Sequence, residues 1–482
     1  MNTTANKNIY TKIIKVIWAF LFLTLPITSF PFFPSNLGGR TLVRPLSVYP
    51  LILLIFLVTI PRLFKRPLPR TFLPILAFLF VSSISSIVAF TYDLEAFRGV
   101  TLTSRFIRNM ITLGIGLAFY FTVTLLPENW DDLRFSLRWL YAGFGIALLW
   151  GTFQIPYVLH FSPKYFKLAN QAQSLISSRR LFSSRISGMT YEPKWFAEQI
   201  CFLLLPWLLG SVLSNQSIFK WRFKRITVEW LLLGWAAVIL MFTFSRTGII
   251  ILGALAFLSY FLFRSTSQKE SNPKKRLLGI KGRKIIEVFG IIAILGVIIF
   301  LVGSQNTYFS RFWLYWTERK NDRERTYLEY ISFQQRFLYW ETAFKIFKLN
   351  PFLGVGLGNY AFYFDSMLPN QPYDLQKEII RQITPEQGRD RLITPKNLLA
   401  RLISETGILG TGLFCTFVLA IVGCVVFLKL SREKDQKFWG TGGILAIFVF
   451  AFLIFSFDSL ALPNMWIVFG LITAAAHQPI PR

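Results

Sequence analysis

The stretch "ISETGILGTGLFCTFVLAIVGCVVFL" (residues 403–428) carries a single charged residue, Glu405, near its start and is otherwise dominated by apolar side chains. About 20 apolar residues are enough for an α-helix to cross the hydrocarbon core of a membrane. Such runs recur along the 482-residue chain, which is 53% hydrophobic and 16% charged, against about 25% charged in soluble domains. The sequence therefore predicts an all-α polytopic membrane protein.

Twelve transmembrane helices are predicted from these runs. The predicted organisation has five parts. Spans one to five lie in residues 1–156, and spans six to nine lie in 195–303. A basic outer segment at 157–194 separates these two groups, a long outer segment follows at 304–402, and the last three spans with a cytoplasmic tail occupy 403–482. The long segment is expected to form an extracytoplasmic helical loop between the ninth and tenth spans. The predicted spans lie at residues 13–30, 44–60, 71–91, 109–126, 137–156, 195–213, 228–245, 247–263, 285–303, 403–428, 439–457 and 462–476.

The distribution of Lys and Arg predicts the orientation of the chain. They are concentrated in four short segments, "RLFKRPLPR", "FKWRFKR", "KESNPKKRLLGIKGRK" and "KLSREKDQK". Because cytoplasmic loops are enriched in these residues, both the N-terminus and the C-terminus are expected to be cytoplasmic. The first apolar run lacks a small-residue cleavage site, so it is expected to be a retained helix rather than a cleaved signal.

The three cysteines, Cys201, Cys415 and Cys424, all lie inside apolar runs and show no metal-binding or redox spacing. They are expected to be small core residues without a disulfide framework. The sequence contains no metal-ligand constellation, so no metal site is expected.

The segment 157–194 is strongly basic and contains one carboxylate, Glu192. Such charge on an outer surface favours either contacts with lipid headgroups or an anionic ligand. Headgroup contact is the interpretation for Lys164 and Lys167, while both interpretations stay open for the rest of the segment. The cations are Lys164, Lys167, Arg179, Arg180, Arg185 and Lys194.

Ionisable residues near the predicted spans cluster at span ends, with Glu198, Arg246, Glu405 and Asp458 at outer ends and none near a midpoint. Secondary transporters usually bind ions and substrate near the membrane midplane, on broken helices in repeated halves. A transporter of anions or lipid-linked sugars is therefore the weaker interpretation.

Within the long outer segment, "QQRFLYWETAFKIFKLN" has apolar residues at positions 337, 340, 344 and 347 and polar ones at 341, 345 and 348. This spacing predicts an amphipathic helix. The pair Asn350-Pro351 is expected to end it.

The next stretch, "LNPFLGVGLGNY", has glycines at alternate positions, Gly354, Gly356 and Gly358. A Walker loop requires Lys followed by Ser or Thr after its glycines, and a dinucleotide loop requires a preceding strand. Neither condition is met here, so a nucleotide site is excluded. The glycines instead predict a tight reversal with positive φ angles and close backbone packing.

These residues resemble the signature of the O-antigen ligase and polymerase superfamily. In "RFLYWETAFKIFKLNPFLGVGLGNY", Arg336 and Trp340 precede an Asn-Pro-x-x-Gly-x-Gly-x-Gly pattern. In "KNLLARLISETGILG", nine residues separate Asn397 from Gly407, and Gly410 follows. "SRISGMTYEPKWFAEQI" and "FTFSRTGII" also resemble family elements, so that the resemblance covers roughly residues 180–430.

The resemblance implies transfer of a glycan from undecaprenyl diphosphate to an acceptor hydroxyl, on lipopolysaccharide core or another surface acceptor, at the outer face of the bacterial inner membrane. The implied partners are the lipid-linked glycan, an acceptor lipid or glycan, and the bilayer, with no nucleic acid, metal or other cofactor. A polymerase of the same superfamily, which uses a second lipid-linked glycan as acceptor, is the alternative.

The resemblance also implies roles for individual residues. Lys396 stands where the ligases have a histidine that helps to activate the acceptor, so either Lys396 or Glu192 is the expected base, and Lys396 is alternatively a diphosphate contact. Glu192 is alternatively a helix cap or a partner that orients an arginine, and Arg401 and Glu405 are expected to form an i, i+4 ion pair. The expected diphosphate-binding residues are Arg185, Arg246, Arg311 and Arg336, and the structural motif residues are Trp340, Pro351, Gly354, Gly356, Gly358, Asn397, Gly407 and Gly410.

Overall fold

The computed structural model describes residues 2–32, 43–92, 94–224, 226–269, 310, 314–316, 327, 333–368, 379–380, 383–384, 392–431 and 433–478. Most of these residues are helical. In chain order the helices are α1 (Asn2–Leu23), α2 (Val48–Leu63), α3 (Phe72–Thr91), α4 (Leu102–Leu125), α5 (Trp130–Val158), α6 (Pro163–Ile176), α7 (Pro193–Ser214), α8 (Val228–Phe242), α9 (Arg246–Lys269), α10 (Gln334–Leu349), α11 (Tyr360–Tyr363), α12 (Leu398–Leu430), α13 (Lys434–Leu453) and α14 (Asn464–Ala476). A short hairpin, β1 (Arg222–Phe223) paired antiparallel with β2 (Ile226–Thr227), precedes α8.

Five helices in the described part of the chain, α3, α4, α7, α12 and α13, are long and apolar enough to cross a membrane. Shorter apolar helices are α2, α8, α14 and the Arg246–Leu262 part of α9. A helix overlaps each predicted span except the one at 285–303, which lies outside the described residues. The helical composition fits the expected all-α membrane class, while the number of twelve spans and their orientation stay predictions.

Helix α12 packs against four other helices of the bundle, α3, α10, α13 and α14. The core around it is filled by large aromatic side chains, among them the fully buried Trp207, Trp439 and Trp466. The rings of Trp207 and Trp439 are 4.9 Å apart between centroids, a separation at which aromatic pairs attract beyond simple burial. This packing joins α7 to α13.

The cysteines only partly match the expectation of core residues. Cys201 is buried and Cys424 is half-buried, but Cys415 is exposed, as is Leu419 one turn later on α12. The expectation is wrong for Cys415 because an apolar run does not distinguish a side chain in a protein core from one on the outer face of a membrane helix. All three cysteines are free thiols.

The described part of the segment 304–402 has a small core of its own, separate from the core of the bundle. Helix α10 ends at Leu349, immediately before Asn350-Pro351, as the sequence predicted. Tyr360 and Phe364 pack against α10, with 5.7 Å between the ring centroids of Phe364 and Tyr339. The buried members of this core are Leu338, Tyr339, Ala343, Ile346, Val355, Tyr360, Ala361, Phe364, Ile379 and Ile393.

The helix predicted at these positions is present as α10, but its apolar spacing did not indicate which side enters the protein core. Phe337 is 47% exposed and Phe344 is 52% exposed, although both belong to the predicted apolar face. The face that enters the core carries Leu338, Tyr339 and Ile346 instead. Helix α10 is apolar on two sides, so the 3.6-residue period identified the helix without showing which side is packed.

Candidate functional site

The glycine-rich loop is a tight reversal docked onto α12. Gly354, Gly356 and Gly358 have φ values of 71°, 94° and 83°, all in the region that favours glycine. Val355 donates its amide hydrogen to the carbonyl of Ser404 at 3.1 Å, and Gly356 donates to the carbonyl of Glu405 at 2.9 Å. Because these amides bond to α12, they are not directed at a phosphate, in agreement with the exclusion of a nucleotide loop.

The docking uses a break in α12 at Gly407, whose φ of 62° and ψ of −165° are not helical. Beyond the break, Ile408 donates to the carbonyl of Pro351 at 2.8 Å and Leu409 donates to that of Phe352 at 3.2 Å. Two amides that lack their usual partners within the helix are thereby satisfied by the loop. The Asn-Pro-containing motif and the glycines of α12 therefore form one structural unit.

The second glycine of the α12 motif is a close-packing position. A Cβ atom added at Gly410 would lie 2.4 Å from the Cβ atom of Thr406, a separation that real side chains do not adopt. Gly410 follows the break in α12, where the helix resumes. The spacing of the two glycines is thus explained by the local shape of the helix.

Glu405 connects this unit to α4. Its Oε2 atom accepts a hydrogen bond from the amide of Gly358 at 2.7 Å and one from Arg401 Nε at 2.9 Å. Arg105, on α4, donates from Nε to the carbonyl of Gly358 at 2.7 Å. Glu405 and Arg401 are both buried, so the predicted i, i+4 ion pair is confirmed as an interior pair.

Lys396 lies directly before α12 in a constrained backbone conformation, with a φ of 53°. Its amide donates to Asp458 Oδ2 at 2.9 Å, and its carbonyl accepts from Arg336 Nη1 at 3.4 Å. The next residue, Asn397, caps α12 by accepting the amide hydrogen of Ala400 on its side chain at 3.0 Å. The structure thus brings two expected site residues, Lys396 and Arg336, into contact.

The side chain of Lys396 extends over the ring of Tyr339. Its Nζ atom lies 4.8 Å from the ring centroid and 3.5 Å from the hydroxyl oxygen. The ring is buried, and the carbonyl of Tyr339 accepts a 3.0 Å hydrogen bond from the hydroxyl of Tyr360. Burial raises the pKa of Tyr360 well above its ordinary value, so this hydroxyl remains a donor.

A second carboxylate, Glu198 of α7, lies near the Asp458 carboxylate that contacts Lys396. The side chain of Asp458 accepts a hydrogen bond from the Lys396 amide. Its main-chain carbonyl accepts another from Arg401 Nη1 at 2.6 Å. Glu198 is buried, lies 3.5 Å from Lys194 and interacts electrostatically with Asp458. This cluster, formed by Lys194, Glu198, Lys396, Arg401 and Asp458, joins α7 to the start of α12.

Glu192 does not contact Lys396 in any of the described interactions. It occupies the N-cap position of α7, yet its side chain makes no capping hydrogen bond. Instead, Oε1 accepts from Arg179 Nη1 at 3.0 Å, and Arg179 lies over the ring of Tyr191. The structure therefore fits the alternative in which Glu192 orients an arginine, and the carboxylate next to Lys396 is Asp458.

Arg185 and Arg246 lie on either side of the turn between α8 and α9. Arg185 donates from Nε to the carbonyl of Thr243 at 2.9 Å. Arg246 is the first residue of α9, and Ser245 before it accepts the amide hydrogen of Gly248 at 3.3 Å. The structure places these two expected diphosphate contacts together, while Arg311 lies outside the described residues.

Both groups of cations lie near the N-terminal part of α7. Ala197, the residue before Glu198, packs closely against α9. A Cβ atom added at Gly248 would lie 3.0 Å from the Cβ atom of Ala197. Gly248 follows Arg246 by two residues. The turn that carries Arg246 therefore lies next to the part of α7 that contributes to the Lys396 cluster.

Sequence reasoning noted Glu198 and Asp458 only as charges at span ends and missed Tyr339. The position of both carboxylates at outer ends of predicted spans was the available signal for them. Tyr339 offered none, because an aromatic residue on a helix with two apolar sides is ordinarily read as core. Lys164, Lys167 and Arg180 are exposed and stay outside the site.

Residues 231–415 match the family model described as O-antigen ligase, which confirms the superfamily expected from the motifs. The match runs from α8 into α12, so it includes Arg246, Arg336 and Lys396, while Arg185 and Glu192 precede it. The family indicates a glycosyltransferase-like enzyme of the ligase or polymerase type, with lipid-linked glycan and acceptor substrates, in the bacterial inner membrane. No curated protein matches the chain.

Proposed function

We propose that this protein is a ligase that transfers a glycan from undecaprenyl diphosphate to an acceptor hydroxyl at the outer face of the plasma membrane. The observation that carries the proposal is the contact between Arg336 and Lys396, near the part of α7 that packs against the first turn of the helix carrying Arg246. This arrangement gathers cations from segments far apart in sequence beside membrane-spanning candidates. A lipid-linked diphosphate has both the charge and the anchor that such a location requires.

In the proposed reaction, the acceptor oxygen forms a bond to the anomeric carbon of the first sugar. The bond between that carbon and the diphosphate oxygen breaks, and undecaprenyl diphosphate leaves with the bonding electrons. The proton of the acceptor hydroxyl passes to a base on the protein. The chain therefore has to stabilise negative charge on the leaving group and accept one proton.

Arg336, Arg246 and Arg185 are proposed to bind the diphosphate. The guanidinium group remains charged and bonds phosphate oxygens through two parallel N–H groups. Such donors act most strongly when they are already held in place before charge develops. The contacts of Arg336 with the Lys396 carbonyl and of Arg185 with the Thr243 carbonyl provide this preorganisation.

Asp458 is the better-placed carboxylate to take the acceptor proton. It lies next to Lys396, whereas Glu192 is engaged by Arg179. Glu192 is then proposed to orient Arg179, whose Nη1 donates to it at 3.0 Å. The roles of Lys396 and Asp458 are separable by substitution, as described below.

The polymerase alternative shares the donor and differs only in the acceptor, which would be a second lipid-linked glycan. Purified protein in detergent, supplied with a short undecaprenyl-diphosphate glycan, tests both. Release of undecaprenyl diphosphate that depends on a non-lipid-linked acceptor supports the ligase, while release with the donor alone and growth of the glycan supports the polymerase. Uptake of the glycan into proteoliposomes without bond cleavage would contradict both and indicate a transporter.

A further inference from the structure

We infer that Lys396 acts as a fixed cation for the diphosphate rather than as the base, and that Tyr339 is the residue that positions it. The inference rests on the proposed function and specifies what the unusual lysine contributes to it. It is carried by the contact between the Lys396 ammonium group and the face of the Tyr339 ring.

The ring contact favours the charged form of the side chain. A cation within about 6 Å of an aromatic centroid is attracted by the negative face of the ring, and Lys396 Nζ lies 4.8 Å from the centroid of Tyr339. A neutral amine gains no comparable attraction. The Asp458 carboxylate, which accepts the hydrogen bond of the Lys396 amide, adds a favourable negative charge nearby.

The ring itself is fixed. Tyr339 is 1% exposed, packs against Phe364 with 5.7 Å between ring centroids, and has its carbonyl bonded to Tyr360. Because neighbouring side chains hold the ring in place, the face that contacts Lys396 has a fixed position. The ammonium group therefore has a defined resting place.

The main chain of Lys396 is fixed independently. Its φ of 53° is an unfavourable conformation for a residue with a side chain. The hydrogen bonds to Asp458 and from Arg336 hold both sides of this residue. With both the backbone and the ammonium group held, Lys396 resembles a preorganised electrostatic contact.

The chemistry remains balanced when Lys396 keeps its proton. The ammonium group and Arg336 receive the negative charge that develops on the departing diphosphate. The acceptor hydroxyl loses its proton to a carboxylate, for which Asp458 is the proposed residue. Lys396 therefore transfers no proton in this scheme.

Substitution by arginine separates a cation from a base, because a guanidinium group stays protonated and cannot accept a proton. The measured quantity is the dissociation constant of undecaprenyl diphosphate for the detergent-purified full-length protein, which requires no turnover. We expect Lys396→Met to weaken binding by about tenfold or more and Lys396→Arg to restore most of the affinity. Unchanged binding in Lys396→Met would overturn the inference.

Helix α10 offers a matched control. Lys348 lies 4.9 Å from the centroid of the Phe344 ring, the same kind of contact on the same helix but away from the cluster. Lys348→Met is expected to leave binding unchanged. Equal loss in the Lys348 and Lys396 variants would show a general charge effect and overturn the inference.

Tyr339 is tested by a pair of substitutions whose folding is checked by thermal unfolding. Tyr339→Leu removes the aromatic face and is expected to weaken binding of undecaprenyl diphosphate, whereas Tyr339→Phe keeps the face and is expected to rescue it. Loss of binding in a folded Tyr339→Phe variant would assign the effect to the hydroxyl group and contradict a positioning role for the ring.

The transfer assay distinguishes this inference from the proposed function. If wild type transfers glycan and Lys396→Arg does not, although it binds undecaprenyl diphosphate, Lys396 supplies the base and the inference is wrong. If wild type binds undecaprenyl diphosphate through Lys396 but transfers no glycan to any acceptor, the cation role stands and the transferase proposal fails.

Discussion

Gly354 of the glycine-rich loop and Gly407 of α12 lie backbone against backbone. A Cβ atom added to either one would approach the amide nitrogen of the other to 2.6 Å. Both residues also have positive φ angles, 71° and 62°. Through this contact the segment that carries Arg336 packs against α12, the helix that follows Lys396.

Substitution of Gly407 by alanine should therefore destabilise the protein. We expect a loss of about 1–3 kcal/mol from the strained φ, with more from the steric conflict, seen as a lower midpoint in thermal unfolding. Gly412 lies on the same helix, has ample space for a Cβ atom and no positive φ, so Gly412→Ala should leave the midpoint nearly unchanged. Equal midpoints for the two variants would contradict the described contact.

The buried pair of Arg401 and Glu405 should be more important for folding than an exposed pair of the same spacing. Arg401→Ala leaves the Glu405 carboxylate buried without its cationic partner. Breaking an interior pair in this way lowers the free energy of unfolding by about 3–5 kcal/mol. Lys345 and Glu341 on α10 are also 2.9 Å apart at i, i+4 but are partly exposed, and Lys345→Ala should cost less than about 1 kcal/mol. Thermal unfolding of both variants measures the difference, and a larger effect at Lys345 would refute the assignment of Glu405 as the buried connection.

The three arginines proposed to bind the diphosphate, Arg185, Arg246 and Arg336, predict a selective loss of transfer when one of them is removed. Arg246→Ala should reduce the rate by about 10²–10³-fold, the usual effect of removing one preorganised donor, without loss of folded protein. Lys164→Ala, which removes an exposed cation of the basic segment 157–194, serves as the control and should retain activity. Full activity in Arg246→Ala would show that this residue does not bind the diphosphate.

The proposed base predicts different effects for three carboxylate variants. Asp458→Asn keeps an oxygen that can accept the Lys396 amide hydrogen, so the backbone should stay in place while transfer falls by about 10²–10⁴-fold. Asp458→Ala should lose both the hydrogen bond and transfer. Glu192→Gln keeps a hydrogen-bond acceptor for Arg179 and should lose much less transfer activity than Asp458→Asn. A larger loss in Glu192→Gln than in Asp458→Asn would indicate that Glu192 is the base.

The sequence predicted local features of the site and missed the contacts between distant segments. Three features depend on neighbouring residues, which spacing rules describe well: the end of α10 before Asn350-Pro351, the positive φ angles of the glycines and the Arg401–Glu405 pair. The contact of Asp458 with Lys396 joins residues 62 positions apart, and that of Lys396 with Tyr339 joins residues 57 apart. Such pairs depend on how helices pack, which no local period specifies.

The two apolar sides of α10 illustrate the same limit. Hydrophobic spacing identified the helix, but Phe337 and Phe344 are exposed while Tyr339 enters the core. Since Tyr339 is the residue that contacts Lys396, the apolar spacing did not reveal this part of the candidate site. Glu192 was selected because the stretch around it resembles a family element, and only the fold revealed its engagement by Arg179.

The most direct test of the central claim is the release of undecaprenyl diphosphate from a short lipid-linked glycan by the purified protein, with and without an acceptor, for wild type and Arg336→Ala. A glycosyltransferase with Arg336 in its diphosphate site should show acceptor-dependent release in wild type and a reduction of about 10²-fold or more in the variant. Acceptor-dependent release at the same rate in both proteins would contradict the assigned site. Absence of release in wild type with every acceptor offered would contradict the proposed transfer itself.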